Sequence, residues 1–376
     1  MSGPLSDVKV LDFSTLLPGP MATLFLAEAG AQVIKVERPG RGDEMRSYEP
    51  RWGGTSVNFA MLNRGKKSIE LDLKSADQRK RLLPLLAEAD VIVEQFRPGV
   101  MDRLELGFEH VKTINPDIVY CAITGYGQSG PKRDVAGHDL NYIGDAGLLS
   151  LSSGPVAAPV VPPALIADIA AGTYPAVLNI LLALRERDRS GRPAFLDIAM
   201  ADNLFPFMYW AIGNGLGAGL WPANGNDLVT GGSPRYRLYP TADGKLLAAA
   251  PLEQKFWSAF CEAIGLDASL RDDSIDPVST ARRVAEIIAE RSSDHWQRLF
   301  AQADCCCSIV QTVEQALADP QFRARGLFDR SIVASEGERL TALPVPLVAA
   351  MRDQASEKSS PALGADNDVL SGGQGG

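Results

Sequence analysis

Two short stretches hold residue types that could move a proton on and off carbon: Ala136-Gly137-His138-Asp139-Leu140-Asn141-Tyr142 and, downstream, Leu165-Ile166-Ala167-Asp168-Ile169-Ala170. His138 is one of three histidines in the chain, and it lies between a glycine and an acid in a polar stretch rather than on an apolar face. An imidazole and a carboxylic acid held on opposite sides of a carbon can remove a proton from one face and return one to the other. That is the chemistry of a racemase. Asp168 also falls near the start of the apolar segment Ala164 to Arg187, which reads as a buried helix, so a first-turn acid favoured by the helix dipole is its second reading.

The other residues with reactive side chains read more plainly. His110 sits in a helical segment and His295 at a helix start, where solvated or capping roles suffice. Cys305, Cys306 and Cys307 are consecutive, and adjacent thiols in a strand point to opposite faces, so they do not make a tetrahedral metal site. No metal is expected, and five cysteines in 376 residues do not make a disulfide framework.

The elements that must position these residues alternate. Val8 to Phe13 reads as a strand, Pro18-Gly19-Pro20 as a break, Met21 to Ala29 as a helix ended by Gly30, and Gln32 to Glu37 as a second strand. Ser68 to Leu73, Asp90 to Phe96, Asp117 to Thr124 and Ala194 to Met200 read as further strands, with a helix from Ser75 to Ala89 between the first two. The rhythm predicts an α/β fold: a large domain with a parallel, Rossmann-like sheet. Farther on, Asp243-Gly244 between two alternating runs predicts a hairpin, and Phe256 to Ile264, Ala281 to Glu290 and Asp294 to Ala303 read as helices of a small α+β domain. The expected organisation is a large domain over 1–200, a linker over 201–230, the small domain over 231–323, a return to the large domain over 324–370 and a disordered tail over 371–376.

No GxGxxG follows the first strand, which argues against a dinucleotide cofactor. The strand ends are instead basic or glycine-rich: Arg38 to Gly42, Asn63 to Lys67, Phe96 to Gly99 and Thr124 to Gly127. Each alone could be a solvated turn. Ligands of open parallel sheets collect beyond the carboxyl ends of the strands, so together these segments could meet one anionic ligand. Charge logic adds Arg97 and Lys66 to that ligand's contacts, and the glycine-rich end adds Gly125 and Tyr126.

The net charge of -9 argues against a nucleic-acid partner. No apolar run of spanning length escapes interruption by charge, proline or glycine, and the amino terminus has no signal pattern, so no membrane partner is expected and the cytoplasm is the expected location.

Seven segments, in order, resemble the alpha-methylacyl-CoA racemase branch of the family III CoA-transferase superfamily: VLDFSTLLPGPMATLFLAEAGAQVIKVERPGRGD, NRGKKSIELDLK, EQFRPGVMDRLELG, TGYGQSGP, AGHDLNYIGDAGLLS, the Asp168 segment, and GGSPRYRLYPTADGKLLAAAPLEQKFW. The resemblance implies an acyl-CoA thioester as substrate and no separate cofactor, since coenzyme A is part of that substrate. It implies CoA contacts from Arg38, from Glu70, Leu71, Asp72 and Leu73, and from Gly137, Asp139, Leu140, Asn141 and Tyr142. Catalytic roles fall to His138, Asp168 and Glu253, the last where these racemases carry a glutamate bonded to the histidine; read alone, Glu253 is a helix-start acid. An interlocked homodimer is implied as well. Gly154 to Pro163, rich in proline and valine, and Pro361 to Leu370, which stops short of a final helix, depart from the family pattern.

The reaction so implied is a two-base 1,1-proton transfer on a 2-methylacyl-CoA thioester, lipid chemistry that passes through an enolate. Backbone N–H groups near a helix start, those around Asp168 among them, are the expected donors to the enolate oxygen. The rival is a family III CoA-transferase in which Asp168 attacks the acyl-CoA to form an anhydride. Both use Asp168, and His138 favours the racemase. A non-catalytic acyl-CoA-binding protein would leave the His-Asp-Glu set without a purpose.

Overall fold

The computed structural model describes residues 3–371, which form two compact units: 1–146, 165–205 and 320 onward in the first, 147–164 and 206–319 in the second. All but Ser371 of the expected disordered tail, 371–376, lies outside the described residues.

The first unit is built on six parallel strands: β1 (Lys9–Asp12), β2 (Gln32–Glu37), β3 (Lys67–Glu70), β4 (Val91–Glu94), β5 (Val119–Thr124) and β6 (Ala194–Ala199), in the order β3-β2-β1-β4-β5-β6. β4 and β5 are buried at every position, as strands covered on both faces must be, and their near-continuous apolar sequence reflects that. The order reverses between β1 and β4, which opens a crevice at their carboxyl ends.

The first helix, α1 (Pro18–Glu28), starts earlier than expected because Pro18-Gly19-Pro20 is its first turn rather than a break. Proline's fixed φ suits that turn, where its missing N–H is not needed. All eleven residues of α1 are buried. The helix expected over Ser75 to Ala89 is two, α2 (Ala76–Lys80) and α3 (Leu83–Glu88), since Pro84 lacks the N–H that would join them. α4 (Phe108–Ile114) and α5 (Asp139–Asp145) follow β4 and β5. α6 (Ala167–Ser190) opens with a π-helical turn over Ala167–Thr173 and runs on as α-helix from Tyr174. Pro175 cannot donate to the preceding turn, and the Ala171 carbonyl accepts from Asn203 Nδ2 instead at 3.0 Å. By length and composition α6 could cross a membrane, contrary to the expectation that no run would; here it buries Ala176, Ile180, Ala183 and Leu184 in the first unit.

The outer edge of β3 is covered by the end of the chain. Ser68 N–H donates to Asp366 Oδ2 at 2.8 Å, Asp366 N–H to the Ser68 carbonyl at 2.9 Å and Glu70 N–H to Asn367 Oδ1 at 2.7 Å. These bonds satisfy an edge that would otherwise template aggregation.

Charges are buried at the carboxyl ends of β1, β2 and the turn before β3. Lys66 Nζ lies 3.1 Å from Asp12 Oδ2 and donates to Asn63 Oδ1 and the Pro20 carbonyl; Lys35 Nζ pairs with Asp43 Oδ2 at 2.9 Å; all four charged side chains have no exposed area. Burial by itself would raise the pKa of Asp12, but Lys35 and Lys66, with the Ser14 and Thr23 hydroxyls, hold it well below the usual carboxylate range. Lys66 is therefore not the ligand contact that charge logic made it: its ammonium is spent inside the protein.

The second unit is α+β. β7 (Arg237–Pro240), β8 (Leu246–Ala249) and β9 (Cys307–Ile309) form an antiparallel sheet whose first hairpin turns at Asp243-Gly244, with Gly244 at a φ of +75°. Trp257, Phe260, Val284, Ile288, Trp296 and Phe300 fill its core from α8 (Gln254–Ala263), α9 (Pro277–Ala289) and α10 (Ser293–Phe300). Cys305 is buried in that core, Cys306 is exposed and Cys307 begins β9; all are free thiols. The unit is larger than the small domain expected from residue 231. Residues 206–230 carry the helix Tyr209–Ala218 and are no linker, and 147–164 joins them, Gly154 N–H donating to Asn224 Oδ1 at 3.1 Å.

A direct consequence concerns Lys66. Lys66→Ala strands the buried Asp12 carboxylate, and breaking a buried pair this way costs about 3–5 kcal/mol. Urea denaturation should show that loss; a variant as stable as the parent would refute the buried pairing.

Candidate active site

A cavity of about 420 Å³ opens in the first unit where the strand order reverses. Leu16, Leu17 and Pro18 line it from the end of β1, Gln95 to Pro98 from the end of β4, Ile123 to Tyr126 from β5, and Met200 from beyond β6. His138 and Asp168 line the same cavity from α5 and α6.

The segment that carries His138 is fixed by glycines and a tyrosine. A methyl group on Gly125 would lie 2.5 Å from the Tyr142 ring and one on Gly137 2.8 Å, so both glycines are needed for the ring to pack between their backbones. The Tyr142 hydroxyl donates to the Gly137 carbonyl. His138 is the residue before α5, and its N–H donates to Asn141 Oδ1 at 3.0 Å, which caps the helix and leaves the exposed imidazole facing the cavity. Of the first four N–H groups of α5, those of Asn141 and Tyr142 donate to the His138 carbonyl at 2.8 and 3.2 Å; among the described residues those of Asp139 and Leu140 have no partner.

Asp139, 5% exposed, points inward instead of into the cavity and accepts the Asp168 N–H on Oδ1 at 2.9 Å. The Thr173 hydroxyl ties the same π turn to the Pro18 carbonyl at 2.8 Å. The turn that carries Asp168 is thus tied to two other elements. Its pKa is pushed up to about 6, by burial first and then by the Asp139 charge, with His138 acting in the opposite sense. Near neutral pH it can both take and give a proton. The Asp168 N–H, already bonded to Asp139, is not the enolate donor expected there.

The expected site residues divide into groups. Arg97, Gly125, Tyr126, Gly137, His138, Asn141, Tyr142 and Asp168 meet at the cavity. Arg38, Glu70, Leu71, Asp72 and Leu73 lie farther along the same edge, at the ends of β2 and β3, outside the cavity wall; Arg38 pairs with Glu44 at 3.1 Å, Glu70 accepts the Gly40 N–H at 2.7 Å, and Leu71 is core. Leu140 is exposed on α5, and Lys66 is buried elsewhere. Glu253 belongs to the second unit, exposed just before α8 with no side-chain capping bond.

Sequence reasoning missed Leu16 to Pro18, Gln95, Arg133 and Met200. The strand-end rule could have found the first two. Leu16 adopts a φ of +62°, rare for a branched side chain, and its N–H is held by Asp43 Oδ1 at 3.1 Å. Arg133 had no signal, yet it and Arg97 bring to the cavity two guanidinium groups without a hydrogen-bond or ion-pair partner among the described residues.

The description of CoA-transferase family III matches the chain over residues 5–367. The chain belongs to that family. Its relatives include the alpha-methylacyl-CoA racemases of Mus musculus, 34% identical over 365 residues covering 96% of this chain and 90% of that protein, and of Homo sapiens, 32% identical with the same coverage. They also include the succinate–glutarate CoA-transferase of Agrobacterium fabrum, 32% identical over 96% of this chain and 93% of that protein. A crystal structure of a CAIB/BAIF family protein from Brucella suis superposes with a TM-score of 0.83 at 29% identity, covering 99% of each chain. Members of this family are enzymes of both kinds, at similar identity to this chain.

The Asp139 contact yields a measurable expectation. Asp139→Asn keeps an acceptor for the Asp168 N–H and removes the charge, so the Asp168 pKa should fall from about 6 toward 3.8 in a carbon-13 NMR titration. An unchanged value would mean that Asp139 does not act on it electrostatically.

Proposed function

We propose that the protein is a racemase of 2-methylacyl-CoA thioesters. The observation that carries this reading is the pair His138 and Asp168 on one cavity, with the acidity of Asp168 brought near neutral. Arg97 and Arg133 suit the phosphates of coenzyme A, and the apolar side of the cavity, Leu16, Leu17, Ile123 and Met200, suits an acyl group. Coenzyme A enters as part of the substrate, and the reaction needs no other cofactor.

The thioester carbonyl acidifies the α-carbon. One base takes the α-proton from its face as the electron pair moves onto the carbonyl oxygen, and the other, already protonated, delivers a proton to the opposite face as the pair returns. His138 and Asp168 exchange these roles with direction. The unpartnered N–H groups of Asp139 and Leu140 are the donors we assign to the enolate oxygen. A homodimer fits the apolar residues left exposed on α6, Leu178, Leu181 and Leu182, and on the second unit, Leu216, Leu220 and Trp221.

The second reading, a CoA-transferase that uses Asp168 as nucleophile, draws on the transferase relatives. It leaves His138 without a chemical task.

One enantiomer of a 2-methylacyl-CoA in heavy water, without a carboxylic acid acceptor, should gain deuterium at the α-carbon and invert. Consumption only when a free acid is supplied, with no α-exchange, would establish the transferase instead. His138→Ala should stop inversion while sparing exchange from the face served by Asp168, and Asp168→Ala should spare the complementary exchange. The half-reaction in which Asp168 is the base needs the ionised carboxylate, so it should decline as pH falls through about 6.

A further inference from the structure

The loop after β4 has a cavity on each side, and Arg97 lines both. One is the candidate active site. The other, about 240 Å³, is walled by Phe108, Tyr120 and Phe195 and receives the side chain of Glu94, the last residue of β4 and 5% exposed. One Glu94 oxygen accepts the Phe96 N–H at 2.7 Å. Strand register sets Glu94 in a row with Ala122 and Asp197, so only a methyl separates the two acids across β5.

The groups that face Glu94 are mostly of its own sign. Asp102 comes from the turn after the loop and Glu109 from α4, with the neutral Tyr120 on β5 and Gln128 beyond it; Asp197 of β6 acts from its place in the same row of the sheet, outside the cavity wall. Arg97 is the one cation among the described residues that line this cavity, and Arg103 and Arg133 approach its wall at Gly99. Gln128 Nε2 is buried without a partner among the described residues. Burial raises the Glu94 pKa, the Phe96 N–H lowers it and Asp102 and Asp197 raise it, leaving it at about 8. Arg97 does not contribute there. Its charge acts on the catalytic side, at Tyr142, whose pKa burial and Asp168 raise and Arg97 lowers.

We infer that Glu94 is a positioning residue which competes with the substrate's phosphates for Arg97. Neutral, it leaves the guanidinium to the active-site cavity. Ionised among acids in a low-dielectric pocket, it attracts the one cation that lines this pocket among the described residues, and the Arg97 side chain turns to the second cavity. The backbone need not move. It is held before Arg97 by the Phe96 N–H on Glu94 and the Gly19 N–H on Gln95 Oε1 at 3.0 Å, and after it by the Val100 N–H on the Arg97 carbonyl at 3.1 Å. Thioester affinity would therefore weaken on the alkaline side without any change in the two bases.

The inference rests on the reading of the cavity as a CoA-thioester site, and the test separates the two. The probe is a non-hydrolysable thioether analogue of an acyl-CoA, titrated by calorimetry from about pH 7 to about pH 9.5, where its phosphates stay ionised and no thiol is present to titrate. The Kd of the unmodified protein should rise about tenfold across that range, the value of one charge-assisted contact. Glu94→Gln should flatten the rise, and Arg97→Ala, at an exposed position, should bind more weakly at neutral pH and show no rise. A flat profile in the unmodified protein, or a rise that survives either substitution, overturns the competition while leaving the thioester reading intact. No binding of the analogue at any pH overturns both.

Discussion

The buried charges at the carboxyl edge of the sheet are the constraint on which the site depends. Asp12, Lys35, Asp43 and Lys66 are all withdrawn from water, and leaving any of them unpaired would cost several kcal/mol. Asp43 must stay beside Lys35, and the same carboxylate takes the Leu16 N–H. Leu16 therefore keeps a left-handed backbone that it would otherwise leave. Lys66 in turn holds the Pro20 carbonyl in the first turn of α1. The wall of the cavity between β1 and β4 is set by buried ion pairs that do not themselves line it.

A second constraint ties together the segments that carry His138 and Asp168. Asp139 follows His138 in sequence, and its buried carboxylate takes the backbone N–H of Asp168, 29 residues on. One short polar side chain thereby joins the two segments of the site and raises the proton affinity of the Asp168 carboxyl. The π turn that presents Asp168 follows from Pro175, which cannot continue the regular hydrogen-bond ladder. Such irregular turns persist where other contacts hold them, here through Thr173 and Asn203.

The family holds racemases and CoA-transferases on one fold, and an aspartate can in general act as base or as nucleophile. What an imidazole adds is a second proton carrier across the cavity. In the racemase we propose, that role falls to a residue at a helix start, where a change of side chain leaves the backbone capping bond from Asn141 in place.

Much of the fold was legible in the sequence. Continuous apolar runs such as Val91 to Glu94 and Val119 to Thr124 announce buried parallel strands, and Asp243-Gly244 announces a hairpin, since both depend on local rules of burial and backbone conformation. That His138 and Asp168 line one cavity was anticipated from residue type and from order along the chain. What the sequence misjudged depends on distant partners. Lys66 reads as a free cation beside a glycine, and only the fold brings Asp12, 54 residues away, to consume its charge. Pro18-Gly19-Pro20 reads as a break until the sheet supplies a wall for α1. Arg133 carries no pattern of its own and acquires meaning from the cavity it faces. Local chemistry is written in neighbouring residues, but burial decides which charges remain free to act, and burial is a property of the packed chain.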